Sequence, residues 1–539
     1  MTSTPALVRS EGRLADVDVA RIMPWFVGAM ILAIGSMLVD SLPVGVVRDD
    51  GMYVILAKSL ATGHGYRWLN VPGMPPATHF PPGYPAVLAV LWWLYPAFPA
   101  NVLLFKIANA LFAGVAGAGT ARLVHQRVGM SPTGSSAFAL VALLGIPTLS
   151  LSAIVFSEPL FLAILLPALL LAERVVDAER AGPAERAERA RLRDIVLIGV
   201  MAGAATLVRT HGIALIAALP IVLVVRRRSW RVAAIFTAVA LAVVLPWQLW
   251  AAMHAGAVPV PMRGNYESYG PWLVAGIRAD GIALLARTAV RTSTELLAMF
   301  ATLAAPSMPG VVRLAALLAL GVLAATGARP LWRQAPATAV FLVLYVGIVV
   351  LWPFTPARFV WGIWPLVLMP IVLGARRLIA WRPRSRAMTS LRVAALVGAG
   401  AVALGYGTYT LRGYRGQWWE SIPRSQATAL RPLVAWAAQH TQMNDLLAVE
   451  EEGAVYLYAG RQTVPVHTFT AGQYLQKRSP RENAEVIRTM LASYPITHVV
   501  VSSTSMREAA RELALATPPV LAVRDTFAGG IVLVPTTAR

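Results

Sequence analysis

Carboxylates are scarce in this chain. It has 539 residues with 26 Asp and Glu against 47 Lys and Arg, so acids beside apolar sequence narrow the search for chemistry. Asp49 and Asp50 directly follow an apolar run, and Glu158 sits in Val155-Phe156-Ser157-Glu158-Pro159 at the start of another. A charge placed there is costly unless it faces a cavity or a partner. Two readings stand side by side: Asp49, Asp50 and Glu158, at a similar membrane height, sharing one catalytic pocket, or serving as a helix cap and an arginine partner. Arg209 interrupts Leu207-Val208-Arg209-Thr210-His211-Gly212, and Arg358 follows Pro353-Phe354-Thr355-Pro356-Ala357. A guanidinium matches phosphate oxygens bidentately, so the pair suits a lipid phosphate or diphosphate; interfacial anchoring is the plainer alternative. His64 and His79, in a polar loop rich in turn residues, are acid/base or ligand candidates. The segment 263–295, with Tyr266 and Glu267, is a further candidate substrate contact.

The elements that must position these groups are apolar helices. Hydrophobic residues make up 57% of the chain, charged residues 14%, and the mean hydropathy is +0.62. That excludes disorder, a coiled coil and an ordinary soluble enzyme for most of the sequence. The fold class expected is a polytopic α-helical membrane protein with about eleven spans. They lie near 23–43, 102–123, 134–151, 158–174, 194–208, 211–225, 232–252, 310–328, 336–353, 359–380 and 391–410. The Pro-bounded run 81–98 reads as a partly embedded helix on the outer surface. The apolar run after Arg21 reads as an uncleaved signal anchor.

The net charge of +21 would suggest nucleic acid in a soluble protein, but here it records orientation. With the N-terminus inside, the inner segments hold 23 Lys and Arg and the outer segments of the membrane module hold 10. The positive-inside rule therefore predicts a cytoplasmic N-terminus, with the 44–100 loop and the C-terminal tail outside. The charged stretch 173–193 reads as a solvated inner linker, and Arg226-Arg227-Arg228 as a topology signal. Among the outer carboxylates of the membrane module, Asp40, Asp280 and Glu295 remain beside those already named.

Residues 1–412 thus form a membrane module. Residues 413–539 alternate helix-like and strand-like runs (446–450, 498–502, 520–524, 531–535) and predict a small extracytoplasmic α/β domain. Its aromatics Trp418, Trp419, Tyr456 and Tyr458 are expected mainly in its core. The chain has no Cys, no GxxxxGK[ST], no GxGxxG after a strand and no HExxH. Disulfides and a thiolate nucleophile are excluded on those grounds, and an ATP-driven transporter is disfavoured.

The ordered set of motifs resembles the GT-C glycosyltransferases. These include lipid A aminoarabinose transferases, protein O-mannosyltransferases and a bacterial dolichyl-phosphate-mannose mannosyltransferase-like group. Asp49-Asp50-Gly51-Met52-Tyr53-Val54-Ile55-Leu56-Ala57-Lys58 is similar to that family's D-E-x-x-Y-A-x-x-A-R. Gly63-His64-Gly65-Tyr66 and Phe80-Pro81-Pro82-Gly83-Tyr84-Pro85 look like its G-x-G-Y and P-P-G/L-Y. Ser157-Glu158, the Arg209 segment and Arg358-Phe359 with Trp364-Pro365 resemble its later elements. Asp50 stands where the family has Glu, and Lys58 where it has Arg.

The resemblance implies inverting sugar transfer from a polyprenyl-phosphate-linked donor to an acceptor hydroxyl (on lipid, glycan or protein) at the outer face of the cytoplasmic membrane. It implies Asp49 as base assisted by Asp50, and Glu158 binding acceptor or orienting the site. Arg358, Arg209 and Lys58 would hold donor phosphate. Tyr53, His64, His79, Tyr84, Tyr266 and Glu267 are the candidate substrate contacts. No cofactor is specified, and a divalent cation at Asp49 and Glu158 is compatible with the residue types. The alternatives are a diphosphate-lipid-dependent oligosaccharyl or polymer transferase and, in another class, a lipid or sugar transporter or flippase. The latter would be marked by internal repeats and mid-membrane charges, and neither is seen.

Overall fold

The computed structural model describes residues 8–178, 185–476 and 478–536. The middle of the expected 173–193 linker and the first seven residues lie outside them. Twelve α-helices precede residue 305: α1 (Val8–Met37), α2 (Asp49–Ala61), α3 (Gly83–Leu94), α4 (Asn101–Leu123), α5 (Pro132–Leu143), α6 (Ile146–Ser152), α7 (Glu158–Ala178), α8 (Glu185–Val208), α9 (Ile213–Arg227), α10 (Trp230–Met253), α11 (Tyr269–Asp280) and α12 (Ala283–Ala304). The rest are α13 (Gly310–Gln334), α14 (Pro336–Leu351), α15 (Ala357–Trp361), α16 (Trp364–Ala380), α17 (Arg386–Arg415), α18 (Trp418–His440), α19 (Glu452–Ala459), α20 (Pro480–Ser493) and α21 (Thr504–Ala514).

The chain is a multi-pass membrane protein. Among the described residues six helices are long and apolar enough to span, or seven if α5 and α6, bent by 61°, form one broken span. Three further apolar helices are shorter: α3, α14 and the stretch Thr210–Arg226. The sequence count of eleven differs because several expected spans are cut short by Pro or Arg, as at Arg209 and between Trp352 and Ala357. The 263–313 stretch, expected as an outer loop, instead holds α11 and the amphipathic α12. Its period-3.6 pattern carries Arg287, Arg291 and Glu295, so it reads as too polar to span.

Small residues let spans approach closely, as lipid-embedded helices require in the absence of a hydrophobic drive between them. A Cβ on Gly28 of α1 would lie 2.8 Å from the Gly114 carbonyl of α4. One on Gly374 of α16 would lie 1.9 Å from the Leu323 carbonyl of α13. Helix α3 buries Tyr84 and Leu88 but leaves Val90, Trp93 and Leu94 exposed. That is the surface an interfacial helix presents.

Beyond α18 the chain builds a five-stranded sheet from β1 (Leu446–Val449), β2 (Gln462–Pro465), β3 (His498–Val501), β4 (Leu521–Phe527) and β5 (Gly530–Pro535), in the order β2-β1-β3-β5-β4. Pairings β1–β2 and β1–β3 are parallel, joined through α19 and α20, whereas β3–β5 and β4–β5 are antiparallel. A reciprocal Ser479–Glu482 capping box starts α20. One face of the sheet packs Leu447, Val449, Val500 and Val532 against Leu433 and Trp436 of α18. Trp419 is buried, while Trp418 is 37% exposed.

The sheet touches the helical module where the first motif begins. Gly51 of α2 faces Gly45 and Gly453; a Cβ there would meet the Gly45 Cα at 2.6 Å and the Gly453 Cα at 3.1 Å. The Val44 N–H also donates to the Tyr458 hydroxyl. The start of α19 is thereby held against the start of α2.

Candidate active site

A cavity of about 280 Å³ opens where these parts meet. Four helix boundaries supply charged groups at its wall or directly behind it. Asp49 is the first residue of α2, Glu158 starts α7, Arg209 sits between α8 and the turn leading into α9, and Arg358 lies in α15. Pro159 follows Glu158 and Pro356 precedes Ala357, so both helices begin at fixed points and their first side chains turn toward the same space.

Arg358 ties the group together. Its Nε donates to Glu158 Oε1 at 2.5 Å and its Nη1 to Asp49 Oδ2 at 2.6 Å; Nη2 lies 3.4 Å from Glu158 Oε2. Arg209 Nη1 reaches the same Glu158 Oε1 at 2.8 Å and the Ser157 hydroxyl at 3.0 Å. Arg358 also lies over the Phe156 ring at 3.6 Å. Glu158 is 1% exposed, so it depends on both arginines. Burial disfavours the Arg358 charge, but Glu158 and Asp49 overcome it and hold the guanidinium protonated well above its ordinary range.

Asp50 has a different role. Its carboxylate accepts the N–H groups of Gly45 at 2.9 Å and Val47 at 3.1 Å, folding the 44–48 loop back onto α2. Burial, partly offset by those bonds, raises its pKa to about 6. It sets the loop from which Arg48 and Asp49 project, and it does not line the cavity.

Other expected contacts divide in the same way. Tyr53, His79 and Tyr266 line the cavity. His79 is pushed down to about 4 by burial, so its imidazole is neutral at pH 7, and its Nδ1 lies 2.6 Å from the Glu267 carbonyl. Tyr84 stays behind the wall, donating to Asn109 at 3.0 Å with its ring against Tyr53. Glu158 likewise stands behind Arg358. Lys58 does not reach the cavity: its Nζ sits 4.8 Å over the Tyr456 ring. His64 is exposed and bonded to Thr62, and Glu267 contributes its backbone carbonyl to His79.

Sequence reasoning missed Arg48, Trp68, Trp352 and Tyr474, all of which line the cavity. Arg48 was adjacent to a singled-out acid, which was the available signal. Tyr474 lies more than 400 residues from Asp49 and carried none. Among the described residues no group of three or more His, Asp or Glu is placed to hold a metal ion. Between Asp49 and Glu158, where a divalent cation had been compatible, stands the Arg358 guanidinium.

Together these parts make a membrane protein whose apolar helices carry a carboxylate–arginine cavity at their ends, with the five-stranded sheet packed nearby. ArnT from Cupriavidus metallidurans bound to undecaprenyl phosphate aligns over 94% of this chain and 97% of its own, with a TM-score of 0.55 and 13% identity. The Archaeoglobus fulgidus oligosaccharyltransferase in its apo form aligns over 90% of this chain and 69% of its own, with a TM-score of 0.51 and 12% identity. At these identities the likeness is one of fold. No family model and no curated protein matches the chain by sequence.

Proposed function

We propose that this protein is an inverting glycosyltransferase. It moves a sugar from a polyprenyl-phosphate-linked donor to an acceptor hydroxyl at the outer face of the cytoplasmic membrane. The observation that carries the reading is the convergence of Asp49, Glu158, Arg209 and Arg358, far apart in sequence, on one cavity at helix ends. The shared fold with an ArnT that binds undecaprenyl phosphate supports a lipid-linked donor.

In this mechanism Asp49 takes the proton of the acceptor hydroxyl, whose oxygen attacks the anomeric carbon. The carbon–oxygen bond to the phosphate breaks on the opposite side, and its electron pair leaves on the phosphate oxygen. Charge develops there, so cations fixed in a partly enclosed cavity stabilise the transition state more than the ground state. Glu158 holds Arg358 and Arg209 in place, and Arg358 in turn aims the Asp49 carboxylate. The aromatic wall of Trp68, Tyr269, Trp352 and Phe354 suits the apolar faces of sugar rings.

The test is transfer from radiolabelled polyprenyl-phosphate sugars in membranes containing the wild-type chain. Label moving to an acceptor fraction, and lost in Glu158→Gln, supports the reading. No transfer from any polyprenyl-phosphate sugar, with transfer from diphosphate-linked donors instead, would replace it with the oligosaccharyl-type alternative.

A further inference from the structure

The cavity holds three arginines, and they are not equivalent. Arg358 and Arg209 are committed to Glu158 and Asp49. Arg48 also lines the cavity, yet its side chain makes no ion pair or hydrogen bond with another described residue. The charges acting on it through space are those of Glu452 and Glu451, with Tyr474 and Tyr266 beside them. Burial raises Glu451 well above the ordinary carboxylate range and raises Glu452 as well.

The backbone at this residue is strained. Arg48 has φ 61° and ψ −73°, and the Asp49 N–H donates across it to the Val47 carbonyl at 2.8 Å. This is a γ-turn of the rare hand, a conformation a residue with a Cβ adopts at a cost. Asp50 holds the turn by accepting the N–H groups of Gly45 and Val47. A glycine would relieve the strain, yet an arginine stands there.

The turn also separates two neighbouring side chains. Asp49 reaches Arg358, whereas Arg48 is placed among Tyr266, Tyr474 and Glu452. An inverting displacement needs that separation, because base and leaving group stand on opposite sides of the anomeric carbon. Arg358 is bonded to the base and so belongs to the base's side. Arg209 is bonded to Glu158, which leaves Arg48 as the arginine lining the cavity with no carboxylate bonded to it.

We infer that Arg48 is the ligand of the departing polyprenyl phosphate, held ready by the strained turn. The assignment rests on the glycosyl-transfer reading above and names which arginine meets the phosphate.

The experiment is binding of undecaprenyl phosphate to the purified full-length protein in detergent, with phosphatidylglycerol as the control anionic lipid and thermal melting in parallel. Arg48→Gly removes the guanidinium and the backbone strain together. It is expected to weaken undecaprenyl phosphate binding about tenfold or more, the scale of one charge-assisted hydrogen bond, while the melting temperature holds or rises. Arg48→Lys, which keeps the charge, is expected to recover part of the affinity. Wild-type affinity in Arg48→Gly, or weakened binding accompanied by a matching loss of melting temperature, would overturn the assignment. Failure of the wild-type protein to prefer undecaprenyl phosphate over phosphatidylglycerol would remove the donor reading itself, and this assignment with it.

Discussion

The two walls of the cavity are built on opposite electrostatic principles. On the helical wall, Glu158, Arg209, Arg358 and Asp49 form a closed network with acid and base in matched contact. On the wall toward the sheet, Arg48 lines the cavity without a direct ion pair; Glu451 and Glu452 act on it through space from behind, each with one carboxylate oxygen lacking a partner. On the first wall the charges are paired within the fold, although Arg209 Nε has no partner. The second leaves the Arg48 guanidinium without a hydrogen-bonded carboxylate, a donor that an anionic ligand can meet. Affinity for an anion should therefore depend on the second wall, and structural integrity on the first.

Glu158→Gln should do the most damage, because it leaves two arginines facing a neutral amide. We expect transfer to fall at least 100-fold and stability by about 3–5 kcal/mol, the range for breaking a buried ion pair from one side. Both are readable by an activity assay and by thermal melting in detergent. If Glu158→Gln melted as wild type while Arg48→Gly unfolded, the contrast between the walls would be reversed.

Gly51→Ala tests the seam between them. The added Cβ would press on the Gly45 and Gly453 backbones, so we expect about 1–3 kcal/mol of destabilisation. Limited proteolysis should then release the sheet domain faster than from wild type.

Asp50→Asn sharpens the comparison by pH. Burial raises Asp50 from 3.8 to about 6, so between those values the folded protein binds more protons than the unfolded chain. Its contribution to stability therefore falls as pH rises from about 4 to 6 and stays low above that. In Asp50→Asn the fall should flatten, which melting curves at pH 4.5, 5.5 and 7 would show. At pH 7 we expect a change of only a few degrees. An unchanged pH slope would mean that Asp50 is not the titrating group.

The helical wall was the legible one. Acids are rare in apolar sequence, and a charge beside a span needs a partner, so Asp49, Glu158, Arg209 and Arg358 stood out before any geometry. Lys58 stood out by motif position alone, and one helical turn of phase carries it to Tyr456 and away from the cavity. The wall toward the sheet was hidden because it is made by tertiary contact: the start of α19 meets the start of α2 through three glycines. Nothing local to Tyr474 or Glu452 announces that. The unusual φ of Arg48 is likewise a product of Asp50 and the packed glycines, invisible to residue-type reasoning. Helix α12 was hidden for another reason: its amphipathic pattern fits neither a span nor a loop. Strand β2, four residues with Pro at one end, was too short to separate from a turn.

The most direct test of the central claim is the single-turnover transfer rate of Asp49→Asn with the polyprenyl-phosphate donor saturating. The substitution removes the base and also loosens Arg358, so donor binding should persist while transfer falls by about 100- to 10,000-fold. Transfer at the wild-type rate by folded Asp49→Asn protein would contradict the account.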